Sequence, residues 1–255
     1  MNSTLDLIEA RTSCRVFDPA PLTVEERDAV LHAAFRAPTA GNLMLYSILE
    51  IDDPALKARL AVTCDDQPFI AKSPWVLVFL ADFQKWIDLF AVSNVGAVAG
   101  VEHRSVPGAG DLMLACCDAL IAAQNAVVAA ESLGIASCYI GDILEQAEVH
   151  AELFGLPNHT LPIAMLCLGR PVSGRPPTPH YTKHMVQTDT YRRLSRDELG
   201  EMSADLEALL ASHGLAPGIE NYGQAVYARK FTQPYMTEMN RSVERWIERW
   251  STPEA

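Results

Sequence analysis

The chain has 255 residues, 49% hydrophobic and 20% charged, with 32 acidic against 20 basic side chains and a formal charge of −12. That balance describes a globular chain with material for one large or two small domains, and it excludes a disordered one. An acidic chain is also a poor general binder of nucleic acid or anionic membranes, although a local basic pocket remains compatible with it.

Ser3 or Thr4 can cap a first short helix through Ala10. Arg11, Thr12, Ser13, Cys14 and Arg15 follow. In an extended chain Arg11, Ser13 and Arg15 share a face, and two guanidinium forks with a hydroxyl suit a phosphate dianion. Taken alone, these five residues describe a solvated basic turn better than a clamp. Thr23 and Glu26 make a capping-box pattern that opens a helix to about Arg36. Pro38, Thr39, Ala40, Gly41 and Asn42 then form a tight loop of small residues, able to wall a flat ligand.

Residues 43–51 read as a strand, and Asp53 with Pro54 starts another helix. Residues 75–81 form a short apolar run expected to be a buried strand. Residues 82–93 look helical, 96–110 loop-like, and 111–133 form a long apolar helix stopped at Gly134. That helix contains Asp118, Gln124 and Asn125, costly in lipid, so a buried core helix is expected rather than a membrane span. Strands are expected at 135–140 and 161–168, with a helix from 145 closed by Gly155.

After Gly169 the prolines at 171, 176, 177 and 179 predict a stiff extended arm. A second capping box at Ser195 and Glu198 leads a helix to about 212, and a last helix spans about 234–250. Its expected apolar face holds Met236, Met239, Val243, Trp246, Ile247 and Trp250. No G-x-G-x-x-G follows a strand, and the element order lacks regular βαβ alternation, so an α+β layer is expected. The domain reading is a core over 1–170, with 171–255 as an arm and helices completing the same domain.

The six cysteines form no C-x-x-C pair and read as small buried residues of a reducing compartment. The first residues lack the basic-then-apolar pattern of a secretory leader, and a cytoplasmic protein is expected. His103, His150, His159, His180 and His184 lack metal-ligand spacing. No metal site, catalytic acid or catalytic base is predicted.

Four motifs in chain order resemble the nitroreductase family of FMN-dependent oxidoreductases. Residues 11–17 resemble its R-x-S-x-R/K-x-F signature, and 37–42 its A-P-S-x-x-N segment. Residues 133–142 and 165–171 resemble its two strand ends, G-L-G-x-x-x-I-G and L-G-x-P. Cys64 to Ile70, Phe79 to Gln84 and Tyr139 to Asp142 are similar to an NADPH-preferring, flavin reductase-like subgroup, although a second glycine is more usual where Asp142 stands.

The resemblance implies an α+β fold with a mainly antiparallel sheet flanked by helices, in an intertwined homodimer with FMN at the interface. It implies that Arg11, Thr12, Ser13 and Arg15 clamp FMN, with Arg15 reaching the pyrimidine edge. Pro38, Thr39, Ala40, Gly41 and Asn42 would pass along the flavin from the partner subunit. Gln67 would bond the ring, and Tyr139, Ile140, Gly141 and Asp142 would bring backbone N–H groups near N5. Arg170 and Arg175 are candidates for the phosphate, and Arg229 and Lys230 for the 2′-phosphate of NADPH. The implied reaction is ping-pong transfer from NAD(P)H, with NADPH preferred, to a nitroaromatic, quinone or flavin. A specialised flavin dehydrogenase, a reductive dehalogenase and a non-enzymatic flavin-binding protein remain open alternatives.

Overall fold

The computed structural model describes residues 2–102, 104–173, 182–213 and 216–253. His103, Arg175, His180 and the prolines at 176, 177 and 179 lie outside the described residues. The chain forms two compact units, residues 1–176 with 238–255, and residues 177–237.

The elements run in order α1 (Ser3–Ala10), α2 (Val24–Phe35), β1 (Tyr46–Glu50), α3 (Pro54–Thr63), α4 (Phe69–Lys72), β2 (Trp75–Asp82), α5 (Gln84–Val92), α6 (Ala109–Ser132), β3 (Ala136–Ile140), α7 (Ala147–Phe154), β4 (Thr160–Gly169), α8 (Arg196–His213), α9 (Tyr222–Val226) and α10 (Pro234–Trp250). The strands pair β1-β2-β4-β3, every pair antiparallel. This is the α+β architecture that the element order predicts, with the antiparallel sheet that the resemblance implies.

All eight residues of β2 are buried, because helices cover both faces of the sheet. Alternation along the strand sends Val76, Val78 and Leu80 into one core cluster with Leu60, Trp246 and Trp250. Trp75, Leu77 and Phe79 go to the other, against Val30 and Ala34 of α2 and the alanines of α6. Pro162 sits in central β4, where it has no N–H to donate. A bulge at this point, with Phe79 opposite Ala164 and Leu80 opposite Pro162, accommodates it. Each buried indole of α10 finds an acceptor: Trp246 donates to the Leu144 carbonyl (2.9 Å) and Trp250 to that of Gly108 (3.2 Å).

Several expectations are corrected. Asn2, not Ser3 or Thr4, caps α1 by accepting from the Leu5 N–H. The first strand starts at Tyr46 rather than 43, since Met44 has a φ of +48° and cannot continue a ladder. Only one face of α6 is buried; Met113, Leu114, Leu120 and Ile121 on the other are exposed. Cys117 is exposed and Cys116 half-buried, so only four of the six cysteines are core residues. The buried stripe of α10 is Ser242, Trp246 and Trp250, while Ile247 is exposed.

In the second unit, the Ser195 capping box forms with both bonds, Ser195 N–H to Glu198 at 2.8 Å and Glu198 N–H to the Ser195 hydroxyl at 3.3 Å. Arg192 grips the same Glu198 through two bonds of 2.8 and 2.7 Å. A π-helical turn, Tyr227–Phe231, follows α9.

Candidate functional site

Residues 11–16 leave α1 as an extended segment and are tied down through the backbone. The Cys14 N–H donates to the Ser137 carbonyl on β3 (2.9 Å), and the Val172 N–H to the Val16 carbonyl (3.3 Å). The Asp18 N–H donates to the Arg170 carbonyl (2.8 Å), and Phe17 bridges Pro171. Phe17 lies so close over Gly169 that a Cβ there would stand 2.9 Å from the Phe17 ring carbon and from Pro74. Glycine is therefore required where β4 ends. Three of the four motifs, far apart in sequence, meet here.

Thr12, Ser13, Cys14 and Arg15 line a cavity of about 200 Å³ with Glu131 and Pro171. Among the described residues, the guanidiniums of Arg11 and Arg15 have no hydrogen-bond or ion-pair partner. Arg15 stands over the Phe69 ring at 5.9 Å. Arg11 is near enough to Glu131 and Tyr139 to oppose the upward push that burial gives both groups. Burial takes the Tyr139 hydroxyl to about 12 and pushes the Glu131 carboxyl upward. Arg15 and two hydroxyl side chains on the cavity wall, with Arg11 close to the Glu131 that also lines it, fit a phosphate monoester.

Gln67 and Asp142 are joined directly. The Gln67 side-chain amide donates to the Asp142 carboxylate (2.7 Å) and to the Cys64 carbonyl (2.8 Å). Ile140 is buried at the end of β3, and Gly141 has open space where a side chain would lie. On the same turn Glu145 is 4% exposed, and one of its carboxylate oxygens has no partner. Burial first, then Asp142, Asp65 and Glu238, push its carboxyl up to about 7; the nearby Arg241 is already committed to Glu238 and Glu148.

A carboxyl raised on folding binds a proton that the unfolded chain gives up. Stability should therefore fall as pH rises from the ordinary glutamate range through 7. Glu145→Gln is expected to leave stability unchanged at pH 4.5 and to raise it by about 2 kcal/mol at pH 8, read from denaturant unfolding at the two pH values. A variant no more stable than wild type at pH 8 would contradict this account of Glu145.

The small-residue loop is placed elsewhere. Ala40–Asn42 form a 3₁₀ turn with φ of +56° at Gly41 and +58° at Asn42. The buried Asp118 carboxylate on α6 accepts from the Ala40 N–H (2.9 Å) and the Leu45 N–H (3.0 Å). Thr39 accepts from the Met44 N–H (3.2 Å), and Pro38 precedes the turn. Among the described residues no hydrogen bond joins this loop to residues 11–15. Arg170 is engaged by Glu26 at 2.6 Å, and Arg175 lies outside the described residues. Arg229 and Lys230 sit exposed on the π-helical turn of the second unit, Lys230 over the Tyr235 ring at 5.6 Å.

Sequence reasoning missed Asp118 and Glu145 as site-shaping groups. The available signal for Asp118 was a single acid inside an apolar helix. His150 is a buried linker between the Ile143 carbonyl and the Thr63 hydroxyl, and His159 faces the Trp250 carbonyl. No cluster among the described residues could hold a metal ion.

Comparison with known proteins gives a consistent picture. The nitroreductase family matches residues 8–170. The "FMN reductase (NADPH)" of Bacillus subtilis is 32% identical over 200 residues, covering 75% of this chain and 78% of that protein. The "NADPH-flavin oxidoreductase" of Vibrio harveyi is 29% identical over 227 residues, covering 89% and 90%. The solved NfrA1 nitroreductase of B. subtilis superposes with a TM-score of 0.83 at 26% identity, over 96% of this chain and 98% of that one.

Proposed function

The chain belongs to the nitroreductase family, and from that membership and two arginines, Arg11 and Arg15, unpaired among the described residues, we propose that it is an FMN-dependent oxidoreductase. In this reading it transfers electrons from NAD(P)H, with NADPH preferred, to nitroaromatic, quinone or flavin acceptors by a ping-pong cycle. The observation that carries it is the cavity walled by Thr12, Ser13 and Arg15, with the guanidiniums of Arg11 and Arg15 free to meet an anion.

FMN, when bound, supplies the redox chemistry. The chain's task is to grip, orient and polarise it. Arg11, Thr12 and Ser13 are read as holding the phosphate, and Arg15 as reaching the pyrimidine edge. The backbone N–H groups of Ile140, Gly141 and Asp142 are read as donors where negative charge develops; the open space at Gly141 supports a close approach. Arg170 and Arg175 remain phosphate candidates, Arg170 only after leaving Glu26.

We read the functional unit as a homodimer, with residues 171–255 helping to complete it and the Pro38, Thr39, Ala40, Gly41, Asn42 loop serving the partner's flavin. The exposed ridge of Met113, Leu114, Leu120 and Ile121 supports a covered face on α6. All six cysteines are free thiols, which supports a cytoplasmic setting.

Steady-state NADPH oxidation against several acceptor concentrations is expected to give parallel double-reciprocal lines; intersecting lines contradict the ping-pong reading. Arg229 and Lys230 are read as meeting the 2′-phosphate of NADPH. Replacing both with Ala should raise the NADPH KM about tenfold and leave the NADH KM unchanged; equal effects on both remove this assignment.

A further inference from the structure

Gln67 and Asp142 lie 75 residues apart in sequence, on the turn before α4 and the turn after β3, yet they share a bond of 2.7 Å. The amide nitrogen of Gln67 is also 2.8 Å from the Cys64 carbonyl. Its two neighbours are thus a carboxylate and a carbonyl oxygen, both acceptors only. The opposite amide orientation would set the Gln67 carbonyl oxygen against two other oxygens. The chemistry of the partners therefore fixes the amide: both N–H donors are spent inside the protein, and the carbonyl oxygen has no partner among the described residues. A glycine at position 142 has no side chain to hold Gln67 in this way.

Resting on the FMN reading above, we propose that Asp142 is a positioning residue that turns the Gln67 side chain into a hydrogen-bond acceptor toward the flavin ring. A locked acceptor can take a ring N–H. It cannot donate to a ring carbonyl oxygen, where electron density rises on reduction. The Asp142–Gln67 clasp therefore withholds from reduced FMN a donor that Gln67 would otherwise offer, and it holds the flavin potential down.

The test is the midpoint potential of bound FMN, with oxidised-FMN affinity measured alongside, in wild type, Asp142→Gly, Asp142→Asn and Asp142→Gly/Gln67→Leu. In Asp142→Gly the amide is free to turn. Reduced FMN should then bind about tenfold more tightly relative to oxidised FMN than in wild type, a rise of about 30 mV for a two-electron couple. Asp142→Asn keeps an oxygen able to accept from Gln67, so its potential should stay near the wild-type value. It also supplies a folded variant should Asp142→Gly be unstable, because the charge is gone while the clasp survives. The double variant should lose the rise seen in Asp142→Gly, since the effect acts through Gln67.

The inference is overturned by an unchanged potential in Asp142→Gly, by a rise in Asp142→Asn, which would make charge and not orientation responsible, or by a rise that persists without Gln67. Wild-type protein that takes up no FMN overturns the functional reading and this inference together. Wild-type protein that binds and reduces FMN while the variants fail these expectations overturns this inference alone.

Discussion

Replacing Arg11 and Arg15 together with Ala should weaken FMN binding by about 10³-fold, since each charge-assisted hydrogen bond, from Arg11 to the phosphate and from Arg15 to the pyrimidine edge, contributes about 2 kcal/mol. The apoprotein should unfold within about 1 °C of the wild type, because surface charges without partners contribute little to stability. The pairing of these two outcomes is what discriminates. A structural arginine is bound to a carboxylate, as Arg27 is to Asp52 or Arg170 to Glu26, and its removal strands that partner. Arg11 and Arg15 strand none among the described residues. Isothermal titration of apoprotein with FMN and a thermal melt of the same preparation read both quantities. Unchanged affinity would return residues 11–15 to the solvated basic turn that their sequence alone describes.

Asp118→Ala is expected to be the most damaging single substitution for the fold. It removes the acceptor of two backbone N–H groups, those of Ala40 and Leu45, and Leu45 is fully buried. Leaving both donors unpaired costs about 3 kcal/mol, or on the order of 10 °C in Tm for a chain of this size. Asp118→Asn retains one carbonyl oxygen, so it can satisfy one of the two donors and should lose about half as much. Scanning calorimetry of the two variants gives the order directly. Equal stability of Asp118→Ala and wild type would mean that the loop over residues 38–42 is held by something other than this carboxylate.

Features that depend on neighbours in sequence could be read before the structure. Thr23 and Glu26 form their reciprocal bonds as their spacing predicts, and Gly134 and Gly155 stop α6 and α7 with positive φ. The run at 75–81 is apolar on both faces, which marks a strand covered from two sides, and β2 is fully buried. Features set by irregular backbone turns and by side-chain bonds were not legible. A strand from 43 fails because Met44 turns back into a positive φ, and its N–H donates to Thr39. The face of α10 was misphased because periodicity ranks Ile247 with the tryptophans, whereas Ser242 is buried through bonds to Glu238 and the Ala147 N–H.

The candidate site divides in the same way. The four motifs name its parts, but not that Phe17 closes on Gly169 or that Gln67 grips Asp142. Nor does composition show that Arg170 is already occupied by the very Glu26 that completes the capping box of α2.

The most direct test of the central claim is an absorption spectrum of the purified protein supplied with FMN, followed by anaerobic addition of NADPH. The account predicts a bound flavin band that bleaches on that addition. A protein that retains no flavin, or a bound flavin that neither NADPH nor NADH reduces, would contradict it.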